Sequence, residues 1–218
     1  MRAEKIDLLV HPGFGAIVAE KKLNVRQTRQ LKRYRERAME IAAEENRFLI
    51  AVLLYDKSLR SAYRSGKVEP SIAALYDTIT GIEEALGDRC ISVGSAGMTE
   101  VSTESRLSNP FFTGLRRILK GRNISIPRSA SAAAFGETMM TCVPGFAANF
   151  HHAFQLKNPV SINLHYCNTG VRPRESRLKE AVRLAAVAPE LQERFRQDFG
   201  DALHVNPAVP GITLEEKE

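Results

Sequence analysis

Eight consecutive residues, Phe48 to Tyr55 (Phe-Leu-Ile-Ala-Val-Leu-Leu-Tyr), are apolar at every position. A strand or helix with one wet face would break such a run with polar residues at its own period. An unbroken run of this length, closed by Asp56-Lys57-Ser58, reads as a β-strand covered on both faces. Strands of that kind belong to parallel sheets flanked by helices, and the rest of the chain fits the same scheme. Lys5 to Val10 reads as a second buried strand, ended by His11-Pro12-Gly13.

Helical and extended segments then alternate. A helix is expected from Val25 to about Glu45, with Leu31, Tyr34, Ala38 and Ile41 on one face at spacings of three and four. The stretch from Asp56 to Pro70 reads as a polar connector. A helix follows from Ser71 to Leu86, capped by Ser71 and stopped by Gly87. Cys90 to Val93 reads as a short strand ending at Gly94, and the Ser- and Thr-rich stretch Ser95 to Asn109 as a loop. Pro110 opens a helix, Phe111 to Lys120, which Gly121 ends. Another strand is expected in the later part of Ile124 to Ala134, because Pro127 disfavours a central strand position. Gly136 marks a turn into a helix reaching about Leu156. After Pro159 comes a strand from Val160 to Cys167, then helices from Ser176 to Val187 and, restarted at Pro189, from Glu190 to Phe199.

Five such alternations require crossover helices, and right-handed crossovers place helices on both faces of a parallel sheet. The expected fold is a three-layer, doubly wound, Rossmann-like α/β domain on a mainly parallel sheet. It spans residues 1–205, and residues 206–218 read as a C-terminal arm. Ligands of such folds bind at the carboxyl ends of the strands. Here those ends are His11-Pro12-Gly13, Asp56-Lys57, Gly94-Ser95, Gly136-Glu137 and Asn168-Thr169-Gly170.

Composition narrows the function classes. No apolar run approaches the roughly 18 residues of a membrane span, and the apolar stretch after Met1 is too short for a signal-peptide core, so a cytoplasmic location is expected. Cys90, Cys142 and Cys167 are an odd, widely spaced set, unlike a disulfide framework or a zinc site. His151 and His152 are adjacent and point to different sides of a helix, so no metal site is expected. Gly13-x-Gly15 lacks a third glycine, Val18 standing in its place, and no phosphate loop with a Gly-Lys-Ser/Thr ending occurs, so no cofactor is expected. The net charge of +6 is equalled by the window Lys21 to Glu40, with eight basic and two acidic residues. Within it Arg26, Arg29, Arg33 and Arg37 form a stripe able to meet an anionic ligand or the phosphates of a nucleic acid. Phe146, Phe150 and Phe154, spaced by four, suit either a core or a homo-oligomer interface.

The segment Gly136-Glu137-Thr138-Met139-Met140-Thr141-Cys142-Val143 follows a strand of small residues and opens a helix. A cysteine there lies in the positive potential of unpaired N–H groups, which favours the nucleophilic thiolate. This segment resembles the isochorismatase-like cysteine hydrolases, which include nicotinamidases: a strand, a glycine, five residues, then Cys-Val opening a helix, with a small residue at Ala147. Phe111-Phe112-Thr113-Gly114-Leu115 and Leu119 look like the family's Phe-x-x-Thr-x-Leu helix. Two family positions differ. His11 stands where the family has an aspartate base, and the loop before the phenylalanine helix offers Arg106 where the family has a lysine. Arginine does not exchange protons near neutral pH and can only orient or stabilise an anion.

The resemblance implies hydrolysis of a small amide or ester through a thioester. Cys142 would be the nucleophile, His11 the base, and backbone N–H groups after Gly136 the oxyanion donors. Gly136, Glu137, Arg106 and Asp56 would bind the substrate. Two other readings stand beside it: Cys142 is a core residue, or the cleft belongs to a non-catalytic binding domain that also uses the basic helix.

Overall fold

Strands this apolar have to lie between two layers of helix, and they do. The structure, a computed structural model, describes residues 1–14, 17, 23–95, 110–137, 142–167 and 176–214. Six strands form one sheet in which every pairing is parallel: β1 (Lys5–Val10), β2 (Arg47–Leu54), β3 (Cys90–Ser95), β4 (Ser131–Gly136), β5 (Val160–Asn163) and β6 (Leu203–Asn206). Their order across the sheet is β3-β2-β1-β4-β5-β6. The chain is a three-layer, Rossmann-like α/β fold. The strand order reverses between β1 and β4, so the crevice at their carboxyl ends is the topological switch point of the sheet.

The connections are α1 (Val25–Ala42), α2 (Asp56–Arg64), α3 (Pro70–Leu86), α4 (Pro110–Gly121), α5 (Cys142–Phe154) and α6 (Arg177–Phe199). Helix α1 starts where local chemistry demands it. Asn24 accepts from the Gln27 N–H while the Gln27 side chain accepts from the Asn24 N–H, a reciprocal capping box. Its face of Leu31, Tyr34, Ala38 and Ile41 is buried as the spacing requires. Helices α1 and α3 pack on each other, and α5 packs on β1, β4, β5 and α6. Phe146 and Phe150 are fully buried and Phe154 is partly buried against the core, so this stripe belongs to the interior.

Five elements depart from the pattern in the sequence. The strand expected from Val160 to Cys167 ends at Asn163, and Leu164–Tyr166 form a 3-10 turn that carries the chain off the sheet. The polar stretch after β2 is helix α2. None of its residues is fully buried, but Leu59, Ala62 and Tyr63, at spacings of three and four, form a short half-buried stripe; the helix is held by Arg60, which bonds Asp56 and Glu83, and by Tyr63 stacked on Tyr76. Helix α3 begins at Pro70, and Ser71 lies buried inside it rather than capping it. Pro189 sits inside one continuous helix, α6; the lost N–H costs a bond, but Leu184, Leu191 and Phe195 on either side are all buried and keep the axis on the core. Last, β6 adds a sixth strand. It is only four residues long, with Leu203 and Val205 inward, and beyond it Val209 is buried in the same core.

Two of the four stripe arginines are consumed by the fold. Asp7, on β1, is 1% exposed. Its Oδ1 accepts from Arg37 Nε (2.9 Å) and Nη2 (2.7 Å), and its Oδ2 from Arg47 Nε (2.6 Å). Arg33 donates to Glu180 Oε2 and to the His165 carbonyl oxygen, each at 2.7 Å. These buried charges persist because each is paired and hydrogen-bonded. They tie α1 to the sheet and to α6.

Candidate functional site

At the switch point Val10 pairs with Val52 on one side and Gly136 on the other. The next residue, His11, has φ 47°, and its N–H donates to the Val52 carbonyl (2.9 Å). This left-handed turn belongs to a completely buried side chain. His11 Nε2 lies 2.9 Å from Ser95 Oγ at the end of β3, so the imidazole bridges over the end of β2. The Tyr55 N–H donates to the Ser95 carbonyl (2.8 Å), which stitches the carboxyl ends of β2 and β3 together. Burial brings the His11 pKa down from its ordinary value near 6.5 to about 4, so the ring is neutral at physiological pH. Its Nδ1 is buried and has no hydrogen-bond partner among the described residues.

On the β4 side, Gly136 has φ 152°, and a Cβ there would lie 2.1 Å from the Val10 carbonyl oxygen. Only glycine lets the two strand ends approach this closely. Glu137 follows. Its N–H donates to the Val10 carbonyl (3.3 Å), and its Oε2 accepts from the Gly13 N–H (2.7 Å). Burial pushes the Tyr34 hydroxyl pKa well up, and the buried Glu137 carboxylate nearby adds to the rise. Cys167 lies at the backbone of Gly136, and burial raises its thiol to about 12. Cys142 is the first residue of α5 and is 2% exposed.

Of the residues the sequence singled out, His11, Gly136 and Glu137 meet at the switch point. Cys142 opens the helix that packs against β1 and β4 beside it. Asp56 lines a cavity of about 740 Å³ that opens over the ends of β2 and β3 and reaches Ser95. Its carboxylate is already bonded by Arg60 (3.0 Å) and Tyr76 (3.1 Å). Arg106 lies outside the described residues, as do Gly15, Val18 and Asn168-Thr169-Gly170. Arg26 is exposed and Arg29 half-buried, and neither has an ion pair among the described residues, whereas Arg33 and Arg37 are internal. Ser95 and Cys167 are the residues that sequence reasoning missed. Gly94-Ser95 was legible as a strand end, but a hydrogen bond across 84 residues leaves no local signature.

The His11 environment has a consequence in acid. With a pKa near 4 when folded and an ordinary value when unfolded, the unfolded chain binds more protons between about pH 4 and 6.5. The contribution to stability is therefore complete above pH 6.5 and is lost as the pH falls through this window, amounting to about 3 kcal/mol at most. His11→Asn removes the titrating ring while tolerating the left-handed backbone. Urea unfolding at pH 7, 5.5 and 4.5 is expected to show a shallower acid limb in this variant than in the wild type. Parallel limbs would mean that His11 is not a neutral, desolvated ring.

No family model, curated protein or solved structure matches the chain.

Proposed function

We propose that the chain is a divergent cysteine hydrolase of small amides or esters, with its reacting groups at the β1/β4 switch point. The observation that carries this reading is His11: a completely buried, neutral imidazole at the strand ends with one ring nitrogen unpaired among the described residues. A buried polar atom left unsatisfied costs about 1–3 kcal/mol. Such atoms call for an explanation, and a site waiting for a proton is one.

In this reading His11 donates through Nε2–H to Ser95 Oγ, which leaves the Nδ1 lone pair to receive the thiol proton of Cys142. The thiolate attacks the substrate carbonyl carbon, and the oxyanion is met by backbone N–H groups beyond Gly136. The imidazolium then returns its proton to the departing amine or alcohol as the carbon–heteroatom bond breaks. Water, deprotonated by His11, cleaves the resulting thioester to a carboxylic acid and restores the thiol. The low basicity of a buried imidazole is offset when proton transfer creates a thiolate–imidazolium pair, because each charge stabilises the other in a poorly solvated site. Glu137 supports the pocket by holding Gly13. Asp56 is a wall residue of the neighbouring cavity.

The test is the rate of alkylation of each cysteine against pH, resolved by peptide mass spectrometry under native conditions. Cys90 and Cys167, both pushed up to about 12 by burial, serve as internal references and are expected to react slowly throughout. Cys142 is expected to react faster than either by about 100-fold or more at pH 7. A Cys142 rate equal to those of the references would place it in the inert core and end the proposal.

A further inference from the structure

A second cavity, of about 180 Å³, lies between α1 and the first turn of α6, on residues the proposed chemistry does not use. Its wall is rigid. Glu180 is buried and clamped at both oxygens, Oε2 by Arg33 Nη2 (2.7 Å) and Oε1 by His165 Nδ1 (3.1 Å), while Arg33 also holds the His165 carbonyl oxygen. The clamp uses His165 Nδ1, and the other nitrogen of that ring, Nε2, has no hydrogen bond among the described residues. His165 is itself 4% exposed and lines the cavity.

The rim is cationic. Arg29 and Arg177 contribute guanidinium groups that have no partner among the described residues. Lys32 faces Glu36 only loosely, at 4.0 Å. Counting the wall, four cationic side chains surround the cavity against two carboxylates, one of them already spent on Arg33 and His165. The excess positive charge is joined by the amino-terminal end of α6, whose dipole points the same way. Size then selects the ligand. At about 30 Å³ for each water in the liquid, the volume holds about six waters. That accommodates a tetrahedral oxyanion and excludes a nucleoside. The two guanidinium groups suit its oxygens by paired hydrogen bonds. A phosphate P–OH would donate to Nε2 and satisfy it.

We propose that this cavity binds a single phosphoryl group, as inorganic phosphate or as the terminal phosphate of a small molecule whose remainder lies outside the rim. The site is independent of the hydrolase reading, since it shares no residue with it. It also differs from a linear phosphate-tracking stripe, because Arg26 is left out and Arg37 is bound to Asp7.

The test is titration of the full-length, isotope-labelled protein with inorganic phosphate and with phenyl phosphate, chloride being adjusted to hold ionic strength constant. Arginine Nε–H and histidine ring signals are followed by NMR. Saturable shifts of Arg29, Arg177 and His165 are expected. Arg29→Gln, at a half-buried position, and Arg177→Gln, at an exposed one, are each expected to weaken Kd by about tenfold or more, and Arg26→Gln to leave it unchanged. Tighter binding of phenyl phosphate would assign the site to a phosphorylated small molecule; equal or weaker binding would assign it to free phosphate. Shifts reproduced by chloride alone, or an Arg26→Gln loss as large as the other two, would overturn the site in favour of a diffuse basic surface such as a nucleic acid meets.

Discussion

Gly136→Ala is expected to destabilise the fold by more than about 4 kcal/mol, or to prevent folding altogether. The new Cβ would stand 2.1 Å from the Val10 carbonyl oxygen and 2.9 Å from its carbon, far inside van der Waals contact. Relief by a side-chain rotation is unavailable, because the obstructing atoms are backbone. Relief by moving β1 would break the parallel register of Val10 with both Val52 and Gly136 and the hydrogen bond from the Glu137 N–H. The φ of 152° adds a conformational penalty for any residue with a Cβ. Gly81→Ala is the matched control: it lies in α3 with open space around its Cβ position. That change is expected to be neutral or to stabilise by up to about 1 kcal/mol through helix propensity. Urea unfolding of the two variants separates them. A Gly136→Ala midpoint equal to the wild type would show that β1 and β4 can part without cost, and the switch point would lose its rigid frame.

The close approach at Gly136 is also the clearest case of what the sequence made legible. A strand of small residues ending in glycine and leading into a helix marks a crossing point, and the run Phe48 to Tyr55 requires two covering layers. From those features the parallel sheet, the helices at Val25 and Pro110, and the gathering of His11, Gly136 and Glu137 at strand ends all follow. What the sequence hid was long-range or had no pattern to show. Helix α2 is nine residues long and its stripe of Leu59, Ala62 and Tyr63 is only half-buried, so its period is brief and easily lost among charged residues. Strand β6 is too short for alternation to stand out. Arg33 and Arg37 look like part of a solvated stripe, because their partners Glu180 and Asp7 lie 147 and 30 residues away. Asp7 in turn sits inside an apolar strand where a carboxylate is unexpected, and only the meeting of α1, β1 and β2 explains it. The same holds for Ser95: its hydroxyl matters through one bond to His11, which exists only once β3 and β1 flank β2. Local pattern thus reports which face of an element is buried, and says nothing of which polar group waits on the other side.

Cys142→Ala is expected to lower kcat/KM for any hydrolysed ester or amide by at least about 1000-fold, because the covalent step loses its nucleophile. Its effect on stability should be small by comparison, about 1 kcal/mol, since one sulfur atom is removed from a packed helix start. Cys167→Ala is the informative partner. Cys167 is as buried, lies at the Gly136 backbone and has its pKa raised by burial, so its loss tests general damage to the switch point without removing the proposed nucleophile. It should retain activity within about tenfold, whereas His11→Asn should lose about 100-fold or more, as expected for removal of a general base. A panel of small activated esters and primary amides, assayed at pH 7.5 where His11 is neutral, gives the comparison. The order Cys142→Ala below His11→Asn below Cys167→Ala supports nucleophile, base and bystander in turn. Full hydrolysis by Cys142→Ala, or equal losses in the two cysteine variants, would remove the thiol from the chemistry. The buried imidazole, whose Nδ1 has no partner among the described residues, would then require a ligand rather than a substrate.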